Sequence, residues 1–231
     1  TMILINEFTP DNVVSFFEKY DRVYKIPTLK QIEDSTARHP DLACCLIGKE
    51  LIASPELFYF LKKEKFPFKI IKGLAIPKSK YPSDIAYNAA IVGSFLFCKK
   101  RYTDPVLLQK ASDAKMTVID IKQGYSKCSV AAISSNALIT SDRGIYKQAT
   151  ELGIDALEVT PSGILLDGYA HGFIGGCCVK KEKKIIFAGD LSRHPDFDRI
   201  TTFCKEHGTL TEYTEAFPLT DLGSPVFIPD I

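Results

Sequence analysis

Five short segments of this 231-residue chain carry side chains able to do chemistry at a carbon centre. They are Asp41-Leu-Ala-Cys44-Cys45, Asp84-Ile-Ala-Tyr-Asn88, Gln123 through Cys128 to Ser129, His171-Gly-Phe-Ile-Gly-Gly-Cys177, and Asp221-Leu-Gly-Ser224. Thiol, imidazole and carboxylate together suit nucleophilic catalysis: a thiolate attacks, an imidazole moves protons, and carboxylates such as Asp84 or Asp221 hold a cation. A thiol needs a base or a cation beside it to ionise at neutral pH, and His171 is the only imidazole in these segments. Cys44, Cys45 and Cys128 compete for the role, the last with Lys127 as a basic neighbour. Apolar strands also use Cys simply as packing, and Cys177 and Cys178 are read that way. His39-Pro-Asp41 and His194-Pro-Asp196 repeat one pattern, the second explained by a helix start. No Cys-x-x-Cys occurs, so neither a metal nor a cofactor is expected.

These segments precede or open the first strand of a recurring unit: apolar strand, tight turn, apolar strand, amphipathic helix, apolar strand. The units occupy 43–71, 89–121, 130–159 and 177–213, and their reference positions Cys45, Ala90, Ala132 and Cys177 are 45, 42 and 45 residues apart. Ser54-Pro55 is a clear helix start. Lys180 to Lys184 is a solvated hairpin turn. A fifth first strand is due near 222, where Pro225-Val-Phe-Ile228 stands, and its partner strand, helix and third strand are found at 2–5, 9–20 and 22–26. The two ends therefore complete one unit. The pattern predicts an α/β fold, a five-bladed β/α-propeller of five ββαβ units with pseudo-five-fold symmetry, closed by the terminal strands over a single domain, 1–231. Residues just before each first strand would face a central pore. Asp84 and His171 both lie six positions before their reference residue and enter it at one level.

Hydrophobic residues make up 45% and charged residues 25%, which excludes a disordered or coiled-coil chain. A net charge of +1 offers no basic field for nucleic acid, which is not an expected partner. Seven cysteines, two pairs of them adjacent, do not form a secreted disulfide framework, so a cytoplasmic location is expected. The longest apolar run, Ala89 to Cys98, is interrupted by Gly93-Ser94, and no membrane partner is expected.

With its five-unit repeat, the chain resembles the penteins, the guanidino-group modifying enzymes that include dimethylarginine dimethylaminohydrolase and the deiminases. Leu42-Ala-Cys-Cys45 is similar to the Leu-Thr-Cys-Cys segment of the dimethylarginine enzymes, and Gly168-Tyr-Ala-His171 to their His strand. With Asp84 they stand in the family's cyclic order. The resemblance implies Cys44 as nucleophile, His171 as acid and base, Asp84 as the acidic partner and a small-molecule substrate or ligand in the pore. Asp41, Asn88, Asp221, Ser224 and Cys128 would line the substrate. The relatives carry the Cys near the C-terminus, so here the ring would open one unit earlier. Tyr87-Asn88 replaces the family's acidic pair, Gly124-Tyr-Ser its Gly-Gly-Asp or Gly-Gly-Asn, and Phe173 the acidic residue after the His. A guanidinium needs paired acceptors, so these changes point away from arginine itself. The implied activity is that of a hydrolase or amidinotransferase-like enzyme on a small cationic guanidine, amidine or related C–N compound. The alternative is a non-catalytic pentein, a binding or ribosome-associated ring. A reactive thiol beside His171 separates the two.

Overall fold

Apolar runs punctuated by turn residues become short strands, each hairpin followed by a helix, in a computed structural model that describes residues 1–32 and 35–230, Ser35 by its backbone alone. The chain starts with β1 (Met2–Asn6), α1 (Asp11–Glu18) and β2 (Val23–Ile26). A single helical turn, α2 (Pro40–Ala43), leads into β3 (Cys44–Ile47), β4 (Glu50–Ala53), α3 (Pro55–Lys63) and β5 (Ile70–Lys72). Next come β6 (Ala90–Val92), β7 (Phe95–Cys98), α4 (Pro105–Asp113) and β8 (Thr117–Asp120). A second single turn, α5 (Ser126–Ser129), opens onto β9 (Val130–Ser134), β10 (Ala137–Thr140), α6 (Arg143–Glu151) and β11 (Asp155–Glu158). The chain then forms β12 (Cys178–Lys181), β13 (Lys184–Phe187), α7 (Phe197–Glu206), β14 (Leu210–Glu212) and β15 (Val226–Ile228).

The strands make five three-stranded sheets of one topology, a mixed α/β architecture. In four of them an antiparallel hairpin is extended by a parallel strand after the helix. The fifth joins the two ends of the chain: β15 runs antiparallel to β1, with Met2 opposite Ile228, and β2 lies parallel on the other side. The middle strands are almost wholly buried, which explains their continuous apolar runs.

Five apolar clusters join consecutive sheets, each seated by a helix. Leu57 and Leu61 of α3 pack with Leu4, Ile26 and Leu51, while Leu107 of α4 packs with Ile52 and Leu96. Ile145 of α6 packs with Phe97 and Leu138, and Ile200 of α7 with Ile139 and Phe187. Phe16 and Phe17 of α1 complete the series against Ile186 and Ile3. Each such fully buried side chain contributes about 1.5–3 kcal/mol.

The helices begin where side chains satisfy their free N–H groups. Ser54 Oγ accepts from Leu57 N at 3.4 Å, and Asp104 Oδ1 from Val106 and Leu107 N at 2.8 and 3.1 Å. Hairpin residues Gly48 and Gly93 have φ of +56°, a left-handed conformation that glycine adopts without a Cβ clash. One element differs from expectation. The continuous helix read over 192–207 is broken into a 3-10 turn, Leu191–Arg193, and α7, because Pro195 holds His194 extended. Among the described residues no helix is long and apolar enough to cross a membrane.

Candidate active site

Two four-residue turns position the centre of the site. Pro40 starts α2, setting Asp41 just after it, while His39 precedes it in extended backbone. Cys128 sits in α5, and both turns run straight into a first strand. Across the gap, Cys128 Sγ donates to Asp41 Oδ2 at 2.8 Å. Ser224 Oγ donates to the same oxygen at 2.7 Å, and Asn88 Nδ2 donates to Cys128 Sγ at 3.4 Å. Asn88 Oδ1 accepts from Lys127 N at 2.7 Å, tying α5 to the approach to β6. Asp41, Asn88, Cys128 and Ser224, four of the residues expected to line the substrate, thus form one buried hydrogen-bonded group.

Asp221 lies beside it, fixed by backbone donors. Its Oδ2 accepts from Phe173 N at 2.8 Å and its Oδ1 from Gly223 N at 2.9 Å. Gly176 leaves the necessary room: a Cβ there would stand 2.0 Å from Asp221 Oδ1. Asp84 Oδ2 accepts from the Tyr125 hydroxyl at 2.6 Å.

Burial and neighbouring charge set the protonation. Burial raises Asp41 to about 6, against the opposing pull of His39 and the Cys128 and Ser224 hydrogen bonds. Burial and the Asp41 and Asp221 charges push the Cys128 thiol far up, which favours its protonated form. Burial and Asp84 raise Tyr125, keeping its phenol neutral.

Cys128 is on the wall of a cavity of about 260 Å³ together with His39, Tyr125, Tyr169, His171 and Phe173. His171 Nδ1 is 3.2 Å from the Gly172 carbonyl. A carbonyl can only accept, so a hydrogen bond between them needs the proton on Nδ1. Cys44 takes another place. It lines a cavity of about 330 Å³ with Cys45, Lys127, Cys178 and Phe227, and its thiol donates to Pro40 O at 3.5 Å. Burial, with Cys45 and Asp41 nearby, pushes that thiol up as well. His171 and Cys44 therefore line different cavities, and the thiol sharing a cavity with His171 is Cys128. Of the three carboxylates, Asp41 is bonded to the thiol, Asp221 stands close enough to act on its charge, and Asp84 reaches the cavity through Tyr125.

His39 is the participant missed by sequence reasoning. Its signal is the His39-Pro-Asp41 pattern, whose counterpart at 194–196 marks a helix start. His39, Asp41 and Cys128 offer one ligand atom each, all within 4.8 Å of one another, the only group of this kind among the described residues.

The model of a family of unknown function, DUF6873, matches residues 4–226. The chain belongs to that family. This DUF6873 protein has the pentein fold. It is similar to dimethylarginine dimethylaminohydrolase of Pseudomonas aeruginosa in complex with citrulline, over 94% of this chain and 92% of that one, at 11% identity and a TM-score of 0.57. An amidinotransferase of the saxitoxin biosynthetic pathway from Microseira wollei is similar over 96% and 89%, at 12% identity and 0.56. A cyanobacterial arginine dihydrolase is similar over 100% of this chain and 40% of its own, at 12% identity and 0.59. Likeness at such identity is one of fold. No curated protein matches the DUF6873 sequence.

Proposed function

We propose that this chain is a hydrolase or amidinotransferase-like enzyme acting on C–N bonds of a small cationic amidine, guanidine or related compound, with Cys128 as nucleophile. The observation that carries this reading is that Cys128 shares one cavity with two imidazoles, His39 and His171, while its S–H bonds to the Asp41 carboxylate. The scaffold is a five-bladed β/α-propeller, a closed ring of five ββαβ units in one domain over 1–231. Two facts support it: five clusters link the sheets in cyclic order, and first strands β3, β6, β9, β12 and β15 all line the larger cavity.

A cation entering the smaller cavity meets the aromatic residues Tyr125, Tyr169 and Phe173, and no Lys or Arg lines it among the described residues. Buried carboxylates Asp41, Asp84 and Asp221 stand behind that wall. Without a cation, burial together with the Asp41 and Asp221 charges holds the thiol neutral. A bound amidinium reverses the local sign and favours the thiolate. The thiol proton passes to Asp41, sulfur bonds to the amidinium carbon, and the C=N pair moves to nitrogen. Protonated His171 gives the departing amine its proton and, now neutral, takes one from water. Hydroxide adds, C–S cleavage returns the thiolate, and Asp41 returns its proton. The hydroxyl proton of that adduct leaves with the amine, and the net reaction is amidinium plus water to amide and ammonium.

Arginine, agmatine and dimethylarginine, all guanidines, appear in the names of enzymes with this fold, which favours the same substrate class. One observation favours the rival reading, a ring that binds a ligand without turnover: the thiol is fully buried and its pKa is far up.

The test is alkylation with chloroacetamidine, a cationic probe, followed by peptide mapping of the parent, Cys44→Ala, His171→Ala and His39→Ala proteins. Single-site labelling at Cys128 that survives Cys44→Ala and slows in His171→Ala supports the enzyme. Labelling at Cys44 moves the nucleophile to that thiol, and scattered labelling or indifference to both imidazoles overturns the enzyme in favour of the binding ring.

A further inference from the structure

We propose that His39, Asp41 and Cys128 form a binding site for a zinc-type divalent cation. The three residues present an imidazole nitrogen, a carboxylate oxygen and a sulfur, all buried and within 4.8 Å of one another. Tetrahedral zinc with bonds of 2.0–2.3 Å spaces its ligands by about 3.6 Å, so closing on the ion takes movements of roughly an ångström. The donor types select the metal. Sulfur and imidazole favour zinc or cobalt over magnesium and calcium, which prefer oxygen ligands.

A second observation points to a ligand independently of this convergence. Asp41 Oδ1 is buried without a hydrogen-bond partner, although its sister oxygen accepts from both Cys128 and Ser224. A fully buried carboxylate oxygen with nothing bound to it is a costly orphan in a fold that satisfies most of its polar groups. A cation between Oδ1, the sulfur and the His39 ring would give it a partner.

Charge and outer contacts also fit. Binding releases the Cys128 proton to solvent, breaks the S–H bond to Asp41 and makes an M–S bond. Thiolate, carboxylate and neutral imidazole then balance a dication, leaving a buried centre with no net charge. Ser224 keeps its hydrogen bond to Asp41 Oδ2 and Asn88 its donation to sulfur, the kind of outer contacts that orient metal ligands. Three protein ligands leave a fourth position for water or a small ligand.

The binding itself stands on this geometry alone. Its consequence deepens the function proposed above and rests on it: a metal-held thiolate is unavailable for attack, so metal and cationic substrate exclude one another and the metal switches the enzyme off.

The experiment starts from chelator-treated full-length protein titrated with Co2+. A thiolate-to-cobalt charge-transfer band saturating at one equivalent, displaced by Zn2+, is expected. The band should vanish in Cys128→Ser, survive in Cys44→Ala, and require about 10–100-fold more Co2+ in Ser224→Ala. Absence of the band in the parent, or its survival in Cys128→Ser, overturns the metal site without depending on how any variant folds. Chloroacetamidine labelling of the same samples separates the two readings. A Co2+ band with no labelling of metal-free Cys128 retains the site and rejects the enzyme. Labelling with no band rejects the site and retains the enzyme.

Discussion

Cys128 Sγ and Asp41 Oδ2, 87 positions apart in sequence, are 2.8 Å apart, and the thiol proton lies between them. Sulfur, like the carboxylate, is fully buried; the carboxylate charge raises the cost of ionising the thiol, while the thiol's hydrogen bond eases the charging of Asp41. Removing the Asp41 charge should therefore release the thiol. In chelator-treated Asp41→Asn, Cys128 alkylation by neutral iodoacetamide at constant pH is expected to accelerate about tenfold for each unit by which the thiol pKa falls. A rate equal to or below the parent's would show that burial alone controls the thiol.

The five units were legible because each combines a hairpin of two short apolar runs with a helix start, as in Gly48 followed by Ser54-Pro55. Terminal closure followed from counting. The partner of Asp41 was not legible, because no periodicity marks a four-residue turn such as α2 or α5, and a contact spanning 87 positions leaves no local trace. Cys44 drew attention through the adjacent thiols of Leu42-Ala-Cys-Cys45. In the structure it opens β3 and lines the larger cavity, three residues beyond an Asp41 held at the other thiol. Substrate-lining residues suggested by position, Asn88 and Ser224, turned out to bond within the protein, to the thiol and the carboxylate they flank.

Asp104 should matter more than an ordinary helix cap. Besides capping α4, its Oδ2 accepts from Leu74 N at 2.7 Å, Ala75 N at 2.6 Å and the Tyr87 hydroxyl at 3.3 Å. Ser54→Ala loses one cap bond and is expected to cost about 1 kcal/mol. Asp104→Ala strands several donors and is expected to cost about 3–5 kcal/mol in urea unfolding. Equal losses would mean that the 74–75 segment finds other acceptors.

Acid sensitivity should trace in part to Asp196. Burial alone would raise its carboxyl, but the Thr160 N–H at 2.7 Å and the Arg199 guanidinium outweigh that and hold it at about 2, below its ordinary 3.8. A pKa lower in the folded state stabilises above the unfolded value, and the contribution is lost as pH falls through 3.8 towards 2. Asp196→Asn is therefore expected to be about 1–2 kcal/mol less stable at pH 7 and to approach the parent near pH 2. A difference that stays constant with pH would assign the cost to lost packing.

Gly176 tests whether the site's carboxylates need their backbone recess. Its N–H donates to Cys128 O at 2.9 Å, and its carbonyl accepts from Leu222 and Ser224 N at 3.0 and 2.9 Å, so this peptide cannot move without disturbing α5 and the approach to β15 together. Asp221 cannot yield either, with both oxygens held by backbone donors. The methyl of Gly176→Ala therefore meets a carboxylate fixed on both sides, a case of overpacking worth about 1–3 kcal/mol or more. Gly48→Ala is the control: nothing lies within 4 Å of its Cβ, and only the φ of +56° is unfavourable. At about 2–4 °C per kcal/mol for a chain of this size, Gly176→Ala should melt about 5–10 °C below the parent and Gly48→Ala about 2–4 °C below. Only Gly176→Ala should also alter the labelling rate of Cys128, because its methyl presses between Asp221 and the peptide bonded to the Cys128 carbonyl. A Gly176→Ala protein that melts low but labels normally would separate the recess from the chemistry.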